Sequence, residues 1–157
     1  MHWGIALSCF ALIGTGILQM PVAKRYGLTL ISPWTGDYFL TLTLHYIFAA
    51  IFTGLCFFHL AIHYLEGDFD IVPKKGDFRK SLLIIKALLT GQPEPPSEKY
   101  LPEQRIAWGA FVVAFSLVII TGLLKTWKNL VGIDLPDPCL FWLAQLHNFG
   151  MVLSVLL

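Results

Sequence analysis

The chain has 157 residues, 56% of them hydrophobic and only 13% charged, with a net charge of +1. Such a composition excludes an ordinary soluble domain and indicates an integral membrane protein, and the small charge gives no basis for nucleic-acid binding. The three cysteines, Cys9, Cys56 and Cys139, form neither a C-x-x-C-H attachment nor a paired zinc pattern, and they read as small apolar residues.

Four stretches approach the ~20 apolar residues needed to cross a bilayer core. They are 2–20, 39–65, 106–124 and 139–157. The first lacks the basic leader and small-residue cleavage site of a secretory signal, so it is read as a span. Pro21, Pro33, Pro136 and Pro138 fall between spans, where a missing N–H costs little, while Trp34, Trp108, Trp127 and Trp142 lie near span ends like an interfacial belt. The Gly14 to Gly16 stretch and Thr53-Gly54 predict places of close packing.

Charge sets the expected orientation. The connection between the second and third spans carries Lys74, Lys75, Arg79, Lys80, Lys86, Lys99 and Arg105, seven of the eleven Lys and Arg; the opposite side holds Lys24, Arg25, Lys125 and Lys128. By the positive-inside rule this connection and the amino terminus face the cytoplasm. Within it Leu82, Leu83, Ile85, Leu88 and Leu89 alternate with Arg79, Lys80 and Lys86 in a segment too short to cross. That pattern predicts an interfacial helix, followed by a rigid turn region at Pro93, Pro95 and Pro96. The expected fold is all-α: an integral membrane four-helix bundle with a short interfacial helix between helices two and three, as one domain over 1–157.

Five histidines then become informative, because an ionisable side chain at membrane depth is costly and is kept for a function. His45 and His59 lie 14 residues apart on the second span, a rise of ~21 Å with a rotation of only ~40°, so both face one way from opposite depths. His63 follows one turn later, where it meets water. His45 on the second span and His147 on the fourth enter from the same, outer side, whereas His2 opens the first span on the inner side. Two imidazoles at matched depth on facing helices can clamp one haem iron, and His45 with His147 meet that requirement. The competing reading makes the histidines hydrogen-bonding glue between helices, which for His59 weighs about equally.

In this order the residues resemble a family. His2-Trp3, Thr15-Gly16, His45, Lys99-Tyr100 with Gln104-Arg105, Thr121-Gly122 and His147 are similar to the pattern of di-haem cytochrome b membrane subunits: the gamma subunit of respiratory formate dehydrogenases and the cytochrome b subunit of nickel-iron hydrogenases. The resemblance implies haem b, two in the complete protein. An outer haem would be held by His45 and His147, and an inner one by His2 and a histidine on helix four beyond Leu157, the helix reading as cut short at that end. Without such a residue, His59 is the candidate substitute. The resemblance also implies a quinone pocket before helix three, to which Gln104 is matched, although Leu101 and Glu103 stand where the family has asparagine and glycine.

The function so implied is electron transfer in a respiratory oxidoreductase, between an iron-sulfur or catalytic partner subunit and the quinone pool, with no catalytic residue in this chain. The substrate-oxidising reaction would belong to the partner. The implied location is the bacterial or archaeal cytoplasmic (inner) membrane, multi-pass and in contact with lipid. The alternative is a haem-free helical anchor for a peripheral protein. A transporter is weaker still, since no span is broken by Pro or Gly.

Overall fold

A computed structural model describes residues 2–93, 96 and 98–157; Pro95, expected in the turn region, lies outside them. Among the described residues there are seven α-helices, one short 3-10 helix and no strand. They are α1 (His2–Gln19), α2 (Pro21–Arg25), the 3-10 turn Leu28–Leu30, α3 (Pro33–Gly36), α4 (Tyr38–Glu66), α5 (Asp77–Thr90), α6 (Pro102–Val131) and α7 (Asp137–Leu156). Four of these, α1, α4, α6 and α7, are long and apolar enough to cross a membrane. The fold is the expected all-α membrane architecture, with α5 as the short helix between the second and third spans.

Helix ends follow local chemistry. Asp37 accepts the Leu40 N–H at 3.0 Å and opens α4. At the other end Gly67 adopts a left-handed φ of 66°, and the Asp68 N–H reaches back to the His63 carbonyl at 3.1 Å, which satisfies carbonyls the helix would otherwise leave open. The connection 20–37, expected only as a Pro-containing link, folds into short helical turns because Pro21 and Pro33 each sit at a first helical position with φ already set. The third membrane helix starts before residue 106. Pro102 begins it, and the Gln104 side chain accepts the Leu101 N–H at 3.0 Å, a cap that places the start inside the polar segment.

The chain divides into two compact units. The first comprises Met1–Ile62 and Gly122–Asp134, the second His63–Thr121 and Leu135–Leu157. Within the first, a methyl group added at Gly4 would lie 3.0 Å from Leu55, so α1 and α4 pack closely there, and Asn129 donates to the Tyr46 hydroxyl at 2.9 Å. Within the second, Gly150 of α7 has no room for a side chain, its Cβ position falling 2.7 Å from Val118 of α6. Small residues let apolar helices approach in this way. Gly14 and Gly54, expected at close contacts, instead lie on exposed faces with nothing within 4 Å of an added Cβ.

Candidate functional site

Two histidines are held by the same device. In the first unit Thr15, buried on α1, donates its hydroxyl proton to the Ala11 carbonyl at 2.7 Å, the bond a helical threonine makes to the preceding turn. That proton is therefore committed, and the Thr15 oxygen, 2.9 Å from His45 Nδ1, is the acceptor of an Nδ1–H. In the second unit Thr121 of α6 donates to the Leu117 carbonyl at 2.6 Å and lies 2.9 Å from His147 Nδ1. Each threonine thus sets its histidine in the Nδ1–H tautomer, with the basic lone pair on Nε2. Metal-binding histidines are oriented in this manner, one ring nitrogen anchored so that the other coordinates.

Glycine contributes beside the first of these threonines. A Cβ at Gly16 would stand 3.4 Å from His45 Cε1, so the bare backbone lets the ring lie against α1. The Thr15-Gly16 and Thr121-Gly122 pairs carried the resemblance, but their chemical role was not legible in it. The dipeptide did not single them out, since Thr-Gly also stands at 35–36, 53–54 and 90–91; the one signal was that a span threonine has a hydroxyl to place.

The remaining site residues fall elsewhere. His2 and His59 meet within the first unit, with ring centroids 5.3 Å apart in an edge-on arrangement. His63 is half-buried near the end of α4. Gln104, matched to a quinone pocket, is exposed and serves as the α6 cap described above. A cavity of about 220 Å³ lies next to it in the sequence, walled by Leu83, Ile84, Pro96 and Pro102, with Lys80, Glu98 and Arg105 as its polar members. Among the described residues no three His, Cys, Asp or Glu side chains gather into a cage for a metal ion, so the donors available are single imidazoles.

Arg105 is the charged centre of the second unit. Only 1% of its side chain is exposed, and its guanidinium donates to both Asp77 carboxylate oxygens at 2.8 Å, to Glu98 at 3.2 Å and to the Tyr100 carbonyl at 3.0 Å. A planar fork on a carboxylate fixes both position and angle, which ties the start of α5 to the start of α6. Arg105 and the Lys74 N–H hold the Asp77 carboxyl down at about 2, below the usual carboxylate range. A carboxylate with a depressed folded pKa stabilises fully above its unfolded value and loses that contribution as pH falls through the folded one. The α5 region should therefore loosen between about pH 4 and pH 2. Hydrogen exchange of α5 amides checks this, and Asp77→Asn should abolish the dependence over that range.

A third outcome follows from the threonines. Thr15→Val and Thr121→Val keep the shape of the side chain and remove the acceptor, so each should weaken ligand binding at its histidine by about 10–100-fold. Thr→Ser in the same positions should restore it. Haem retained per protein on dilution in detergent measures the effect.

Curated proteins and solved structures give no match to the chain. The family model for prokaryotic cytochrome b561 matches residues 1–157, the whole sequence. Carrying four apolar helices, the chain belongs to the prokaryotic cytochrome b561 family, multi-pass membrane cytochromes b of the nickel-iron hydrogenase type that bind haem b and serve in electron transfer.

Proposed function

We propose that this chain is the haem-b membrane subunit of a respiratory oxidoreductase in a bacterial or archaeal cytoplasmic membrane, connecting an iron-sulfur or catalytic partner to the quinone pool. His45 and His147 would hold one haem through Nε2, and His2 would hold a second. The observation that carries this reading is the matched pair of Thr to Nδ1 contacts, because it gives both imidazoles the tautomer that coordination requires. Haem b supplies one-electron chemistry when bound, and with two imidazole ligands it leaves no coordination position open for a substrate.

The protein's own residues do the rest. Thr15 and Thr121 hold the rings against rotation and supply a hydrogen-bonded second layer that raises ligand basicity. The apolar side chains of the spans exclude water, which favours the less charged state of any buried centre. Oxidation of formate, hydrogen or another donor takes place on the partner. In this reading His59, in edge contact with His2, lines the inner site, and the first turn of α6, which bears Gln104, faces the quinone side.

The quinone part is tested by reducing the purified protein with dithionite, removing the excess and adding a soluble quinone analogue. The reading predicts rapid return of the oxidised absorbance spectrum, slowed when Gln104 or its neighbours in the first turn of α6 are altered. A reduced spectrum that persists in the presence of quinone contradicts it. Orientation is tested by a cysteine introduced at Gly91, which should be protected from an impermeant reagent in intact cells and labelled after permeabilisation.

A further inference from the structure

The helix α5 presents two faces that the haem reading does not use. Asp77, Ser81 and Ala87 are buried, and they mark the side that packs within the second unit. On a different side Phe78, Leu82, Ile85 and Leu89 recur at helical spacing as an apolar stripe that is exposed throughout, Phe78 by 72% and Leu89 by 81%. Arg79 and Lys86 run along the edge of that stripe one helical register away, whereas Lys80 lies on the other side and pairs with Glu98 at 3.7 Å. The helix has one acidic residue, Asp77, and Arg105 already neutralises it. An exposed apolar stripe edged by cations and free of unpaired anions is unlike the charge-depleted core of a protein interface. It has the composition of a helix that lies in a lipid headgroup layer, its cations reaching up past the buried stripe.

Placement favours the same occupant. The Arg105–Asp77 fork fastens the first turn of α5 to the first turn of α6, and α6 is a candidate membrane span, so α5 is held at the end of a crossing helix. We infer that α5 is a lipid-recognition element: its Phe78–Leu89 stripe inserts into the leaflet, and Arg79 and Lys86 select anionic phospholipid headgroups there. The Arg105–Asp77 pair is the positioning device that sets the depth and angle of the stripe. The role of α5 does not depend on the haem ligands.

The test uses the full chain with Cys9, Cys56 and Cys139 changed to alanine and a nitroxide attached at Leu82→Cys. It is reconstituted into vesicles of phosphatidylcholine alone or with phosphatidylglycerol. The expected result is a label accessible to oxygen and shielded from a water-soluble nickel chelate. In the protein without the label, spin-labelled phosphatidylglycerol should associate more strongly than spin-labelled phosphatidylcholine. Arg79→Gln and Lys86→Gln should each lower that preference by about fivefold, with helicity and haem content unchanged. A label open to the nickel chelate in both vesicles overturns the inference. So does a buried label with equal association of the two lipids, which would make α5 a charge-indifferent apolar helix. Shielding that appears only when a soluble protein fraction is added assigns the stripe to a protein partner and overturns it as well.

Discussion

His45→Ala and His147→Ala are each expected to abolish the low-spin ferric signal of the same haem. Every six-coordinate haem needs both axial positions filled, and removing one imidazole leaves a five-coordinate or water-ligated iron whose electronic state differs in kind. Some pigment can remain in the pocket through contacts with the apolar spans, so total haem falls less than the low-spin signal does. The two variants should be alike in spectrum, because each empties one side of one iron. Electron paramagnetic spectra with haem-to-protein ratios decide the outcome. A normal low-spin signal in either variant breaks the pairing, and signals lost from two different haems would show that the two histidines serve separate sites.

Arg105→Leu is expected to have the largest effect on folding. It strips the partner from a carboxylate that lies inside the second unit, and the Asp77 oxygens then keep only the Lys74 N–H at 2.7 Å. Breaking a buried pair from one side is far more damaging than replacing both members with apolar groups. Arg105→Leu should therefore lower the yield of membrane-inserted protein and the detergent melting temperature. Adding Asp77→Leu to it should recover much of the loss. A double variant no better than the single one would show that the guanidinium contributes through Glu98 and the Tyr100 carbonyl. The acid response of Asp77 described above is a separate check on the same pair.

The four spans were legible in the sequence because bilayer crossing requires long apolar runs, and a run of that length has few other readings. The helix α5 was legible too, through its periodic Leu and Ile and the lack of length to cross. Less legible were the helix starts. α6 begins at Pro102 with Gln104 as its cap, within a stretch whose charge made it look like connection. Gln104 shows how one residue supports two readings: the capping bond explains its position by local hydrogen bonding alone.

The histidines were legible as a set, since their depth is readable from position along a helix. Their partners were not. A hydroxyl on α1 and a ring nitrogen on α4 are joined by helix packing, and nothing within either segment encodes the 2.9 Å contact. The same holds for His2 and His59, the latter read only as a substitute for a histidine beyond Leu157 and found in edge contact with His2 at 5.3 Å. Glycines were misleading for a related reason. Gly16 lies against the His45 ring while Gly14, two residues away, faces outward, and only the rotation of α1 distinguishes them.

One spectrum decides whether the chain carries haem b. The detergent-purified protein, expressed with a haem precursor supplied and reduced with dithionite, should show the sharp absorbance bands of low-spin haem b, and its oxidised form a low-spin ferric signal that vanishes in His45→Ala and His147→Ala alike. A well-folded, helical protein that carries no haem under those conditions would contradict the account and make the chain a haem-free membrane anchor.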